Sequence, residues 1–388
     1  MKRQESLRTA KTDAAADEWV NSPAATEEED WTEHDESEPP YKKLKPWREM
    51  LKKGELEQVT LQPGSFLSDR EIKDKYKHTY LDKKQFARLG KEGRTIKKST
   101  LFWYPAGVYD KYPTELYGSE QREIAGVYLH GVIRQEVQDE AFAALEQMKW
   151  DEPKRPETET AVKRQKGNKV EPKELTIGVT HPRNKPKDLM PSVDTRKNAE
   201  HLRHLIPLWK EVAWCFQKVL PAYFRLQNSP GYVTLQDPDA PAQPLPDYGG
   251  IPRELRNWLG PENSDAIFST LTLLRSCPAS IHKDRNANKD QHNFACLTSL
   301  GDKDKKGKPT FSGGRFCLIE YGIEIPILPG DLFIGQTTRE WHYNTTPVEG
   351  LKYSMIGYYQ PRNANPNKDR SRLESKEGVN GEEVEEED

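Results

Sequence analysis

The fold is decided by residues 315–359, which read RFCLIEYGIEIPILPGDLFIGQTTREWHYNTTPVEGLKYSMIGYY. Short apolar and β-branched runs alternate here with turn residues, a pattern typical of strands joined by tight turns. Three similar runs begin upstream, at residues 268, 279 and 293. Eight short strands over roughly 90 residues indicate a β-sandwich or jelly roll, because one strand and its turn then take about 11 residues.

The preceding part of the chain has a different pattern. Apolar residues recur every three to four positions over residues 120–150 and again over residues 198–224, which predicts two amphipathic helices. Residues 151–191 are rich in Lys, Arg, Pro and Glu and are interpreted as a polar surface loop, with one short strand at residues 175–179. We therefore expect an α+β protein in which helices cover the faces of a β core.

Charge is distributed unevenly along the 388 residues. Residues 1–48 carry a net charge of -4 and residues 364–388 a net charge of -5, whereas the 47 basic and 41 acidic side chains between them give +6. Both ends contain too few apolar residues to offset the entropy of ordering the chain, so we predict disordered acidic tails. These tails are either solubilising extensions or competitors of a polyanionic ligand for the basic middle.

Two further features bound the class of protein. No stretch approaches the roughly 18 apolar residues of a membrane-spanning helix, and no apolar run typical of a signal peptide is present near residue 1, so we expect neither a membrane nor a secreted protein. The cysteines lack the spacing of a zinc finger or a disulfide framework and are interpreted as small buried apolar side chains in a reducing compartment. They are Cys215, Cys277, Cys296 and Cys317.

Three residues of the β region have the character of metal ligands. His282 and Asp284 are two positions apart, so in an extended strand both side chains point to the same side. His342 follows 58 residues after Asp284, again in a strand-like run. Two imidazoles and one carboxylate predict a non-haem Fe(II) site, since three protein ligands leave positions open for a co-substrate and O2.

A basic residue on the last strand is a candidate for binding that co-substrate. Lys352 comes ten residues after His342, and Ser354 lies on the same face of the strand. A cation and a hydroxyl here would hold the distal carboxylate of 2-oxoglutarate. Arg275, in the first strand, is a second candidate for the carboxylate if its side chain points inward, and an outward projection is equally compatible with the sequence.

The order of these motifs carries a resemblance to a known family. In sequence they are His282-x-Asp284, Gly313-Gly314, Pro329-Gly330-Asp331, His342 and Lys352-x-Ser354. Residues 265–362 resemble the TET/JBP-like 2-oxoglutarate- and iron-dependent dioxygenases of fungi, which include copies associated with transposons.

The resemblance implies a domain organisation. A double-stranded β-helix, also described as jelly-roll or cupin-like, is expected at residues 266–362. It would lie in a dioxygenase domain at residues 49–363, in which residues 49–265 provide helical support. The disordered acidic tails would then cover residues 1–48 and 364–388.

The resemblance also implies the ligands. Iron would bind His282, Asp284 and His342, and 2-oxoglutarate would bind Lys352 and Ser354. The family usually has arginine at the position of Lys352. A lysine keeps the charge but loses the two-pronged hydrogen bond, so weaker co-substrate binding is expected.

Known members of the family oxidise methylated bases in nucleic acids. The resemblance therefore implies oxidation of 5-methylcytosine in DNA to 5-hydroxymethylcytosine and further products, or demethylation of N6-methyladenine. A methyl group inside a duplex cannot reach a buried iron, so the base would have to be flipped. Asn286 or Asn288 would then bond the edge of the base, although both residues equally suit a simple turn.

The inferred DNA substrate implies a nuclear location and, in our expectation, a monomer. The basic run KRQKGNK at residues 163–169 is an import signal, a phosphate-contacting arm or a solvated loop. Two alternatives remain open. The chain is either an oxygenase of the same chemistry acting on a protein or a small molecule, or a catalytically silent nucleic-acid-binding β module.

Overall fold

The computed structural model describes residues 43–77, 79, 81, 93–105, 123–155, 158, 170–180, 190–228, 270–284, 294–302, 304, 308–345 and 350–358. The predicted tails lie outside these residues, except for residues 43–48, where the first helix begins. Asn286, Asn288 and the run KRQKGNK also lie outside them. In the described part of the chain, no helix combines the length and the apolar character that a bilayer span requires.

The described strands are β1 Glu57–Thr60, β2 Arg94–Thr95, β3 Thr100–Trp103, β4 Ile124–Leu129, β5 Lys173–Thr180, β6 Met190–Pro191, β7 Thr270–Arg275, β8 Ala295–Gly301, β9 Phe316–Leu318, β10 Ile323–Ile325, β11 Leu332–Gly335, β12 His342–Asn344 and β13 Lys352–Tyr358. They form a large sheet in the order β1-β3-β4-β11-β8-β13-β7-β5-β6 and a small sheet in the order β12-β9-β10-β2.

The described helices are α1 Trp47–Lys52, α2 Asp69–Glu71, α3 Gln135–Gln147, α4 Val193–Lys197, α5 Ala199–Leu202, α6 Ile206–Val219 and α7 Pro221–Asn228. A π-helical turn, Ile72–Tyr76, continues α2, and short 3-10 turns span Arg203–Leu205 and Ile319–Tyr321. The helical pattern predicted over residues 198–224 is confirmed by α5, α6 and the start of α7.

The last seven strands have jelly-roll topology. Strands β7, β8, β11 and β13 lie in the large sheet, and β9, β10 and β12 lie in the small one, with antiparallel pairing among neighbours. The chain therefore passes repeatedly from one sheet to the other, and the two sheets enclose a common interior. The predicted double-stranded β-helix core with flanking helices is confirmed.

Three details differ from the sequence-based expectation. The run at residues 279–282, predicted to be a strand, forms an isolated bridge from His282 to His342 and two single backbone hydrogen bonds, but no regular strand. Residues 120–150 contain strand β4 as well as helix α3, and the described part of residues 49–265 supplies six strands in addition to helices. All four residues of β3 and all six of β4 are buried, so neither strand shows the apolar–polar alternation by which a strand is recognised.

Apolar side chains cover both faces of the large sheet. Leu271 and Leu273 of β7 belong to the core on the helix-covered face, with Trp209 and Val212 of α6. On the opposite face, a second core lies between the two sheets and includes Leu297 of β8. Because side chains alternate along a strand, each residue of β7 and β13 is assigned to the helix-covered face or to the interior by its position. The four cysteines are buried and form no disulfide, which confirms their interpretation as small buried side chains.

Truncation of Leu273 tests the helix-covered core. Leu273 is fully buried, so Leu273→Ala should lower the free energy of unfolding by about 2–5 kcal/mol, measured by urea denaturation. Val193→Ala is the control, because Val193 is 55% exposed and its truncation should change stability by less than about 0.5 kcal/mol. Equal effects of the two substitutions would contradict the burial of Leu273 in this core.

Candidate metal centre

Two histidines from distant parts of the chain are joined by their backbones. The amide of His282 donates to the carbonyl of His342 at 3.0 Å, and the amide of His342 donates to the carbonyl of His282 at 2.9 Å. This isolated antiparallel bridge places the imidazole centroids 4.3 Å apart. The bridge adds one residue to the β12 edge of the small sheet. The strand-like sequence around His282 corresponds to this single paired position.

Backbone carbonyls orient both imidazoles. Nδ1 of His282 lies 2.6 Å from the carbonyl oxygen of Ser280, and Nδ1 of His342 lies 2.9 Å from that of Glu340. A carbonyl oxygen only accepts hydrogen bonds, so Nδ1 carries the proton in each ring. Nε2 is then the metal-binding atom of both histidines, in the arrangement that is usual for histidine ligands.

Asp284 completes the group. Its amide donates to the carbonyl of Thr337 at 3.2 Å, which fixes the chain after His282. Oδ1 of Asp284 lies 3.5 Å from Nε2 of His282 and 3.9 Å from Nε2 of His342. One ligand atom from each of the three residues lies within 4.8 Å of the others.

These side chains form a facial triad. Two imidazole nitrogens and one carboxylate oxygen are the donor set of non-haem Fe(II) sites, so the residues present fit the predicted metal. In the part of the chain that the structure describes, no other group of three His, Cys, Asp or Glu side chains comes together in this way. The sequence-predicted ligands are therefore the ones that the fold brings together.

The protonation states suit a divalent cation. Burial alone would raise the pKa of the Asp284 carboxyl. In acid, where the imidazoles are protonated, a hydrogen bond with His282 and the charge of His342 together lower this pKa well below its usual range. Burial, and next the charge of His282, lowers the pKa of His342 to about 4. At neutral pH the site thus contains a carboxylate and a neutral imidazole, which are the forms that bind metals.

Buried polar residues hold the segment that leads into His342. Glu340, whose carbonyl orients His342, accepts hydrogen bonds from the hydroxyls of Tyr104 and Tyr321. Gln336 and Arg339, in the same turn, donate to the carboxylate of Glu123 at 3.0 and 2.7 Å. Sequence reasoning missed this network. The sequence feature that could have indicated this network is the pair of charged residues in the short stretch TTRE, residues 337–340, between strands β11 and β12.

Lys352 lies in the interior between the sheets and is 3% exposed. Its Nζ donates to the carbonyls of Gly314 at 2.6 Å and Ile327 at 3.0 Å, and lies 5.1 Å from the ring centroid of Phe311. Burial lowers the pKa of Lys352 to about 7. No described acidic side chain lies within ion-pair distance of it, so the cation is held by carbonyl dipoles.

Gly314 makes room for this lysine. Its backbone has a φ of 62°, and a Cβ atom at this position would lie 2.8 Å from Cδ of Lys352. Both the left-handed backbone and the close approach require glycine. The second glycine of the Gly313-Gly314 motif is therefore explained by the path of the Lys352 side chain.

The other predicted co-substrate residues are placed differently. Ser354 is in register with Leu274 and Ser299, and by alternation it shares the interior face with Lys352. Arg275 is in register with Tyr353, which stacks on Trp150 at 5.4 Å on the helix-covered face. Arg275 therefore lies on the face opposite to Lys352, which is the outward projection that the sequence left open, and its role as a carboxylate ligand stays a prediction.

Comparison with known proteins finds similarity to solved structures. Neither a family model nor a curated protein matches the sequence. The chain is similar to the solved structure of NgTET1 in complex with 5mC DNA, with a TM-score of 0.44 and 11% identity over 74% of this chain and 88% of that one. It is also similar to an oxidoreductase of the 2OG-Fe(II) oxygenase family from Burkholderia pseudomallei, with a TM-score of 0.37 and 12% identity over 70% of this chain and 97% of that one.

A third similarity is to a prolyl-4-hydroxylase from Pseudomonas putida, with a TM-score of 0.28 and 8% identity over 61% of this chain and 92% of that one. Scores and identities this low assign no activity to the chain. The activity has to be inferred from its own residues.

Removal of one histidine tests the metal centre. The metal-free protein should bind one Fe(II) under anaerobic conditions, and His342→Ala should abolish this binding because the remaining pair cannot enclose the ion. His204→Ala is the control, since His204 is 40% exposed and hydrogen-bonds with Glu140 at the surface. Calorimetric titration with circular dichroism as a check of folding measures both, and unchanged binding in His342→Ala would remove it from the ligand set.

Proposed function

We propose that the protein is an Fe(II)- and 2-oxoglutarate-dependent dioxygenase. The observation that carries this proposal is the triad of His282, Asp284 and His342, presented inside a double-stranded β-helix. Bound iron would activate O2 and couple the oxidation of a substrate to the decarboxylation of 2-oxoglutarate. Three protein ligands leave coordination positions for both the co-substrate and O2.

The protein residues orient the reactants. The carbonyls of Ser280 and Glu340 keep Nε2 of each histidine directed at Asp284. The hydrogen bonds of Tyr104 and Tyr321 to the Glu340 carboxylate keep the second of these carbonyls in place. The open coordination positions of a metal held in this way would keep a fixed direction, because each histidine ligand is oriented by its own hydrogen-bond partner.

Lys352 is the proposed ligand of the distal carboxylate of 2-oxoglutarate. It is a buried cation on the strand that follows the second histidine, and its charge is not already neutralised by a described acidic side chain. An ion pair formed in this water-poor interior is stronger than one in solvent. Ser354, on the same face, would add a hydroxyl donor.

The proposed role of Lys352 predicts a pH dependence. With its pKa of about 7, the lysine of the protein without co-substrate is cationic below that pH and neutral above it. Because only the cation attracts a carboxylate, the Kd for 2-oxoglutarate should be about tenfold higher at about pH 8 than at about pH 6. Calorimetry on the iron-loaded protein under anaerobic conditions measures this ratio.

Two variants serve as controls for the pH experiment. Lys352→Arg stays charged throughout this range, so its Kd should change little with pH. Lys352→Ala has no cation at this position and should bind 2-oxoglutarate weakly at both pH values. A wild-type Kd that does not vary with pH, together with unaltered binding by Lys352→Ala, would show that another group holds the carboxylate.

The proposed substrate is a methylated base in DNA, with 5-methylcytosine ahead of N6-methyladenine. This part of the proposal is supported by the resemblance of residues 265–362 to TET/JBP-like dioxygenases and by the net charge of +6 between the acidic ends. Positive charge favours a polyanionic partner, although it carries no information on the base. Base flipping, a monomeric state and a nuclear location belong to the same proposal.

The substrate is tested directly with modified oligonucleotides. The full-length protein with Fe(II) and 2-oxoglutarate should convert 5-methylcytosine in a duplex to 5-hydroxymethylcytosine, detected by mass spectrometry, and Asp284→Ala should yield no product. DNA binding should weaken steeply as salt increases. Co-substrate turnover without any product on DNA would indicate an oxygenase of a protein or small molecule, and DNA binding without iron binding would indicate a silent module.

A further inference from the structure

Two residues next to the metal ligands lie on the outer side of the small sheet. Lys283 lies between His282 and Asp284, and Trp341 comes directly before His342. Since side chains alternate along an extended chain, the three ligands face the interior and these two residues face the opposite side. Trp341 belongs to the core on this outer side, with Ile281 and Tyr343.

One carboxylate contacts both of these residues. Oδ1 of Asp69 accepts a hydrogen bond from Nε1 of Trp341 at 2.7 Å and lies 3.5 Å from Nζ of Lys283. The same Nζ lies 5.1 Å from the centroid of the Trp341 ring, within the range of a cation–π interaction. A single oxygen thus joins the segment that carries His282 and Asp284 to the segment that carries His342.

Asp69 is itself firmly placed. It is the first residue of α2, directly after Ser68, which forms a reciprocal capping box with Glu71. Its second oxygen, Oδ2, pairs with Lys73 at 2.5 Å. Phe66, Leu67 and Ile72 bury this part of the chain against the small sheet.

We propose that Asp69 is a positioning residue of the metal centre, which sets the separation of the two ligand-bearing segments through Trp341 and Lys283. This inference rests on the proposed function, because it concerns the iron site. Asp69 contacts no ligand and would not touch iron or substrate. The backbones of the two segments are joined by the bridge between His282 and His342 and by single hydrogen bonds from Asn344 to Ala279 and from Asp284 to Thr337. Because this pairing is short, a side-chain connection behind the bridge has a direct effect on the spacing of the ligands.

The expected effect is on metal affinity and metal geometry. Loss of an outer-shell partner typically weakens metal binding by about 10–100-fold, so Asp69→Ala should raise the Kd for Fe(II) by at least about tenfold. Asp69→Asn keeps an acceptor for Trp341 and loses the charge facing Lys283, so it should show a smaller loss. Co(II) substituted for Fe(II) should give an altered absorption spectrum in Asp69→Ala, a signature that a purely structural role would not change.

Asp74→Ala is the matched control. Asp74 lies in the helical turn that continues α2, and it is exposed and paired with Arg70 at 3.6 Å. Its removal eliminates a carboxylate from the same segment without a described contact to Lys283 or Trp341. The Fe(II) affinity and the Co(II) spectrum of Asp74→Ala should therefore match those of the wild type.

A double-mutant cycle separates this connection from general destabilisation. If Asp69 acts through Lys283, the cost of Asp69→Ala should be smaller in a Lys283→Met background than in the wild type. All measurements use the full chain, with thermal unfolding recorded for each variant, and Asp69→Asn replaces Asp69→Ala in the test if the alanine variant does not fold.

The outcomes distinguish the two proposals. Wild-type protein that binds Fe(II), together with folded Asp69 variants of equal affinity and spectrum, overturns the positioning role and leaves the proposed function intact. Wild-type protein that binds no Fe(II) overturns both. Weaker binding by Asp69→Ala with wild-type behaviour of Asp74→Ala supports the inference.

Discussion

The candidate site depends on one isolated pair of backbone hydrogen bonds, between His282 and His342. The jelly-roll chain crosses repeatedly between the two sheets, and its return to the small sheet brings two segments 60 residues apart in sequence into register. A shift of one residue in this pairing would turn an imidazole to the outer face, because side chains alternate. The polar network around Glu340 and the carboxylate of Asp69 both support the same register from opposite sides of the sheet.

The sequence predicted the parts of this arrangement that depend on local periodicity. The two-residue spacing of His282 and Asp284 places both on one side of an extended chain, and Lys352 and Ser354 share a face for the same reason. The apolar runs after residue 268 correspond to strands β7 to β13, apart from the run at residues 279–282. Period alone does not say which face of a strand is the interior, and for this reason the direction of Arg275 stayed open until its register with Tyr353 was known.

Long-range partners were beyond the reach of sequence patterns. Tyr104 and Glu340 are 236 residues apart, and Asp69 and Trp341 are 272 residues apart, so their contacts follow from how the sheets are assembled. The strands β3 and β4 were hidden for a related reason. A strand buried on both faces is a continuous apolar run, which has no period of its own and resembles a segment of buried helix. Tertiary packing decides between the two.

The buried ammonium group of Lys352 has a consequence for heat resistance. The pKa of Lys352 is about 7 in the folded protein and 10.5 in an unfolded chain. Between these pH values the unfolded chain binds more protons than the folded protein, so the free energy of unfolding is lowered at neutral pH. This weakening fades as the pH rises toward 10.5. A methionine in its place would fill similar space without a desolvated charge. Selection for thermostability alone would therefore favour loss of the lysine. Under the proposed function, this is a position where activity and stability oppose each other.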